Sequence, residues 1–318
     1  MSFNETLVIR MGGLGDLTIL SSSLLALKKK FPYRPLVLAT LKMNIPLMAG
    51  AEYLDRVIDI EELEQSKEPF FKVYDCRWGS EPPNIGPGKT TWEKYIGMDR
   101  SDIYDEILGV QSEKQFLIPV DSASLKEMKG LLRAPPGAKG SIIGIAPTSR
   151  SPLRCMPPEY VHPLADLILQ TFGGQVVIFG KTEPWDKRVA GIQGVGINNL
   201  VDIISIQEMV ATVSLVDLVI SPDTSVYHIA AALGKKALAL FGNIHPNTRT
   251  LYYPTVRSLY PGALYSAKEL GNLLPCGDSF PCWDVPHACT NIEPGQIGAH
   301  CMRLLTPERI MVGLKGML

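Results

Sequence analysis

A chain of 318 residues, 46% apolar and 20% charged, is long enough for two domains of ordinary size, each with its own core. The formal net charge of −1 argues against the broad basic footprint of a nucleic-acid binder, and no apolar run reaches membrane-spanning length. The opening MSFNETLVIR lacks the basic and apolar regions of a signal peptide. A cytoplasmic location with at most peripheral membrane contact is therefore expected. Six cysteines in so long a chain do not make a disulfide scaffold.

The chain opens with a short apolar strand over 7–10, a turn MGGLGD, and a helix with Leu17, Leu20, Leu24 and Leu27 on one face. Lys28, Lys29 and Lys30 fall near its C-terminus, where cations complement the helix dipole. This is the opening βα unit of a nucleotide-type fold, but its glycines fit neither the dinucleotide nor the P-loop fingerprint. What remains is a tight turn, with Gly13 and Gly15, that lets a ligand approach the backbone. Asp16 then reads either as a helix cap or as a carboxylate at the mouth of a cleft. Further strands are expected at 36–40, 57–60 and 71–75. The stretch WGSEPPNIGPGKTT (78–91) reads as a long loop, with a basic cast from Arg77, Lys89 and Arg100. Helices over 92–108 and 122–133 close this half, and 134–140 (APPGAKG) is the best linker.

In the second half strands at 141–146, 175–180, 199–201, 218–221 and 237–241, with a further one at 256–260, alternate with helices at 159–172, 184–191, 206–214 and 224–233. Repeated βα units of this kind imply a parallel, doubly wound sheet with ligands at the carboxyl ends of its strands. The fold class expected is α/β. It comprises two tandem Rossmann-like domains facing across a cleft, at 1–138 and 139–306, with a terminal helix over 307–318 packing back on the first.

The stretch VISPDTSVYHIAAALGKKALALFG (219–242) constrains function most. A strand stops at Pro222 and a helix starts at once, with Asp223 and Thr224 at cap positions. Val226, Ile229, Ala230 and Leu233 form its buried stripe, and His228 lies off that stripe, near Thr224. A helix start at the end of a parallel strand is an anion site, because free N–H groups and the dipole both favour phosphate. The plainer reading is an ordinary capped helix with a solvated histidine.

Three stretches together resemble glycosyltransferase family 9, the family of bacterial ADP-heptose:lipopolysaccharide heptosyltransferases with the GT-B fold. They are LVIRMGGLGDLTILSSSLLALKKKFP, IGIAPTSRSPLRCMPPEYVHPLA and VISPDTSVYHIAAALGKKALALFGNIHP. The resemblance implies an inverting, metal-independent transfer of a sugar, with ADP-heptose as donor, to a hydroxyl of a saccharide or protein acceptor. Asp16 matches the catalytic carboxylate, Arg154 stands where the family places a phosphate-binding lysine, and Asp223, Thr224 and His228 match the diphosphate motif. The expected donor-binding set also includes Gly13, Gly15, Thr148, Gly180, Ser225 and Gly242. Two departures stand out: Ser225 replaces a glycine, and Gly242-Asn243-Ile244-His245-Pro246 replaces Gly-Pro-Thr. Arg249 sits where the family often keeps an arginine.

Cys276, Cys282, Cys289 and Cys301 crowd one segment with His287 and His300, in a C-x5-C-x6-C-x11-C spacing that is not a zinc-finger pattern. The segment resembles the cysteine-bearing tail of protein-modifying members of the family that hold a structural iron. Iron or zinc on four thiolates and a set of reduced, packed thiols both remain open. Two other functions compete: a nucleotide-sugar epimerase or hydrolase on the same fold, and a non-catalytic sugar-nucleotide binding module. The acceptor, the base, the sugar and the oligomeric state are not specified by the sequence.

Overall fold

The computed structural model describes residues 4–65, 69–77, 97–132, 140–182, 186–276, 280–282, 289 and 296–318. The loop expected at 78–91 with its Lys89, the start of the helix expected at 92, most of the linker at 134–140, the start of the helix expected at 184, and His287 lie outside these residues. The chain forms two units, Met1–Pro119 with Asn247–Tyr252, and Val120–Pro246 with Tyr253–Leu318.

In the first unit four parallel strands, β1 (Thr6–Ile9), β2 (Leu36–Thr40), β3 (Arg56–Asp59) and β4 (Lys72–Asp75), lie in the order β3-β2-β1-β4. β1 and β2 are fully buried because helical layers cover parallel strands on both faces. The helix Leu14–Lys30 buries the predicted Leu17, Leu20, Leu24 and Leu27. The order in which the strands are laid down reverses between β1 and its parallel neighbour β4, whose residues Ile9 and Asp75 are paired. The carboxyl ends of these two strands are therefore the switch point of the sheet, the kind of place where α/β sheets bind ligands.

In the second unit β5 (Ile142–Ile145), β6 (Gln175–Ile178), β7 (Ile197–Asn199), β8 (Leu218–Pro222), β9 (Lys236–Leu240) and β10 (Val256–Leu259) form a parallel sheet in the order β10-β9-β8-β5-β6-β7. Its switch point lies between β5 and β8, with Ile145 beside Ile220. Ile143, Ile145, Leu218, Ile220, Leu238 and Leu240 build the core. The helix Ser225–Ala232 ends where the sequence predicts: Gly234 takes the left-handed conformation (φ +67°), and the Lys235 N–H reaches back to the Ala230 carbonyl at 2.8 Å.

One boundary expectation changes. The helix Ser122–Leu131 belongs to the second unit, against the helix Ile206–Leu215, rather than closing the first. The terminal helix Pro307–Leu314 lies on the helix Pro158–Phe172 and on β10, with Ile310 and Leu314 fully buried in the core of the second unit. Each such side chain contributes about 1.5–3 kcal/mol when taken out of water, here in one cluster with Val161, Leu164 and Ile168.

Candidate functional site

At the first sheet's switch point the turn after β1 carries Gly12 and Gly13, and the helix Leu14–Lys30 follows. Asp16 is the third residue of that helix. Its Oδ2 accepts the Gly13 N–H at 2.9 Å, so Asp16 closes back on the turn instead of capping from outside. The same Oδ2 is 3.2 Å from Arg10 Nη2, and Oδ1 lies 2.5 Å from Arg100 Nη1. Arg10 is fully buried, and its Nη1 donates to the carbonyls of Cys76 (2.8 Å) and Arg77 (3.0 Å) just past β4. Burial pushes the Asp16 carboxyl up; Arg10, Arg100, the Gly13 N–H and Arg249 outweigh it and hold the group well below the usual carboxylate range. Asp16 is therefore ionised at any ordinary pH.

Neither Arg10 nor Arg100 was marked by periodicity or motif as a partner of Asp16. The signal that was present is Gly12. A Cβ there would collide with Asp16 Oδ2 and lie 2.6 Å from Arg10 Nε and Nη2, so only glycine leaves room for the pair. Asn44 Nδ2 fixes the turn by donating to the Gly12 carbonyl at 2.7 Å. Arg77, expected in a basic loop, is paired with Asp75, whereas Arg249 contributes to the field at Asp16 from Asn247–Thr250.

At the second sheet's switch point Thr148 follows β5, and Asp223 and Thr224 follow β8. Thr224 is the N-cap of the helix Ser225–Ala232, in extended conformation, but makes no side-chain capping bond. The carboxylate of Asp223 engages two side chains. Its Oδ1 accepts the Tyr227 hydroxyl at 2.9 Å, and its Oδ2 is 3.3 Å from Arg154 Nη1, which turns the carboxylate into a support for the arginine. The helix start thus lies next to a guanidinium, with no Thr224 side-chain bond across its first N–H groups. Ser225 begins the helix without a positive φ, so its departure from glycine carries no backbone strain. His228 is not a solvated histidine. It is buried, with Nδ1 2.8 Å from the Tyr253 hydroxyl and its ring against Tyr227.

Gly180 has φ +134°, and a Cβ on it would lie 2.8 Å from Thr148 Oγ1; the two expected donor residues meet because a glycine stands just past β6. Gly242 answers to packing instead, since a Cβ there would lie 2.8 Å from Cys301 Sγ and 2.9 Å from Met302. Gly15 lies in the first turn of the helix Leu14–Lys30. Cys155 is buried, and its sulfur takes the Ser149 N–H at 3.1 Å.

Cys276, Cys289 and Cys301 share one apolar cluster with Leu270, Leu274 and Phe280, and Cys282 is buried close by. Among the described residues, however, no group of three or more His, Cys, Asp or Glu side chains is arranged to hold a metal ion. Burial raises the Cys276 and Cys301 thiols, and at Cys301 the neighbouring sulfurs raise it further. The described residues thus give no support to the four-thiolate iron or zinc site expected from the sequence. Among the described residues, no helix is long and apolar enough to cross a membrane.

The sequence model for "Glycosyltransferase family 9 (heptosyltransferase)" matches residues 102–271, more than half of the chain. Among curated proteins none matches. Solved structures with the same fold include Escherichia coli ADP-heptose lipopolysaccharide heptosyltransferase II, at 14% identity and TM-score 0.69, covering 98% of each chain. The iron-containing dodecameric glycosyltransferase TibC from enterotoxigenic E. coli H10407 is similar at 15% identity and TM-score 0.66, covering 99% of this chain and 76% of its own. E. coli heptosyltransferase WaaC with ADP-2-deoxy-2-fluoro heptose is similar at 12% identity and TM-score 0.58, over 98% and 99%. These likenesses establish the two-domain GT-B fold.

Proposed function

The chain belongs to glycosyltransferase family 9, and from that premise we propose that it transfers heptose from ADP-heptose to a hydroxyl of a saccharide or protein acceptor. The reaction proceeds with inversion and without a catalytic metal. One observation carries the reading. At the second sheet's switch point the start of the helix Ser225–Ala232 lies beside Arg154, and Asp223, with Tyr227, fixes that guanidinium. This is a cradle for a diphosphate. Departure of a nucleoside diphosphate builds negative charge on its β-phosphate, and preorganised N–H groups, the helix dipole and a fixed guanidinium stabilise that charge as it develops. Arginine in place of the family's lysine offers phosphate a planar fork of donors and stays charged.

In this reading Asp16 is the general base. Its depressed pKa makes it a weak base, and the reaction tolerates that. In an oxocarbenium-like transition state the attacking hydroxyl becomes acidic only as its bond to the anomeric carbon forms, so the proton moves late to a carboxylate already ionised. Attack from the face opposite the leaving group inverts the anomeric centre. The support for ADP-heptose is the solved relatives: TibC in complex with ADP-D-β-D-heptose and WaaC with an ADP-heptose analogue.

The test is product analysis with ADP-heptose and a panel of acceptors. Transfer should require an acceptor and release ADP with a glycosylated product. Free heptose without acceptor, or an epimerised donor, would replace this reading with the hydrolase or epimerase. Asp16→Asn should lower kcat by roughly 10²–10⁴-fold while donor affinity stays near wild type; unchanged turnover would remove Asp16 from the chemistry.

A further inference from the structure

The two oxygens of Asp16 are held differently. Oδ2 is fixed by the Gly13 N–H and by Arg10, a guanidinium with no exposure that is itself tied to two carbonyls past β4. Oδ1 faces Arg100, on the first turn of the helix Arg100–Leu108, where both side chains are 15% exposed. The Arg10 side of the carboxylate is closed to solvent, while the Arg100 side keeps a small exposure.

We propose that Arg10 is the positioning residue of the site: its anchored guanidinium clamps Oδ2 so that Oδ1 is the proton-accepting oxygen, with Arg100 as the partner that yields it to the acceptor hydroxyl. The proposal rests on Asp16 being the base. The clamp works through its geometry. Arg10 spans the switch point of the sheet, joining the end of β4 to the helix that carries Asp16, and Gly12 leaves the space in which the pair closes. A fork of donors can serve two carbonyls and a carboxylate at once; an ammonium at the same place cannot reproduce that spread.

The charged groups around Asp16 are Arg10 from the end of β1, Arg100 from the helix Arg100–Leu108 and Arg249 from Asn247–Thr250, with Asp99 close to Arg249. All three arginines depress the Asp16 pKa, so the wild-type carboxylate keeps its activity-bearing ionised form as pH falls through the ordinary carboxylate range. Removing the Arg10 charge raises that pKa, and an acid limb should then enter the kcat/KM profile from below.

The experiment measures kcat, donor KM and their pH dependence for wild type, Arg10→Lys, Arg10→Gln and Arg100→Gln, with melting temperature and donor affinity measured alongside. Arg10→Lys keeps the charge and loses the fork. Its plateau kcat should fall roughly 10²-fold, the effect of misplacing a reacting group by about 1 Å, with donor KM near wild type and no new acid limb. Arg10→Gln should add the acid limb. Arg100→Gln should move the limb upward while retaining more of the plateau rate than Arg10→Lys. A full plateau rate in Arg10→Lys overturns the proposal, as does a loss of rate that only tracks lost folding and donor affinity. Should Arg10→Gln fail to fold, Arg10→Lys and Arg100→Gln still decide the matter. Wild-type transfer that does not respond to Asp16→Asn defeats the premise instead, and is distinguished by that variant.

Discussion

Gly12→Ala is the sharpest single perturbation of the site, because the three atoms nearest to the added methyl group all belong to the Arg10–Asp16 pair. The added Cβ would lie 2.6 Å from Arg10 Nε and Nη2, whereas non-bonded heavy atoms rest at about 3.5–4.0 Å. Something must move by about 1 Å. Arg10 cannot withdraw without lengthening its bonds to Cys76 and Arg77, and the turn cannot withdraw without lengthening the bond from Asn44. Gly12 does not have a positive φ, so alanine brings no backbone penalty and the effect is steric. Overpacking of this kind costs about 1–3 kcal/mol, read as a lower urea midpoint at unchanged slope. The displaced carboxylate should lower kcat roughly 10²-fold in an ADP-release assay with saturating donor and acceptor. In an Arg10→Lys background the same methyl should cost less, because two of the three atoms nearest to it, Arg10 Nε and Nη2, have gone while Asp16 Oδ2 remains, and the two changes will not be additive. Gly12→Ala with wild-type midpoint and wild-type kcat would refute the idea that this pair is closely packed and catalytically oriented.

Arg154→Ala should weaken ADP-heptose and ADP while leaving adenosine binding unchanged, by about 1.5–3 kcal/mol for a charged hydrogen bond, measured by titration calorimetry; equal losses for adenosine would place Arg154 away from the phosphates. Extended dialysis against EDTA should leave both transfer rate and melting temperature unchanged, and a loss restored by added Mg²⁺ or Mn²⁺ would overturn the metal-independent reading.

Much of the fold was legible in the chain. Leu17, Leu20, Leu24 and Leu27 announced a helix whose apolar face is buried, and the uninterrupted apolar runs at β1, β2 and β8 announced parallel strands covered on both sides. These signals are local: period 3.6 for a helix, and continuous burial for a central parallel strand. The placement of the terminal helix was not legible, because its apolar face, with Ile310 and Leu314, specifies a hydrophobic neighbour without saying which one. The cysteines show the same limit. Their crowding in sequence does bring Cys276, Cys289 and Cys301 into one cluster, but the apolar neighbours they share there, Leu270, Leu274 and Phe280, come from the tertiary fold.

The sequence by itself determined that there are two α/β units, that Asp16 stands at one glycine turn, and that Asp223 and Thr224 stand at a helix start. Only the tertiary structure decided the company these residues keep. Arg100 meets Asp16 across 84 positions, Arg10 meets Cys76 across 66, and Arg154 meets Asp223 across 69. No periodicity spans such distances. The strand order creates them, by bringing the ends of the parallel neighbours β1 and β4, and of β5 and β8, side by side where that order reverses.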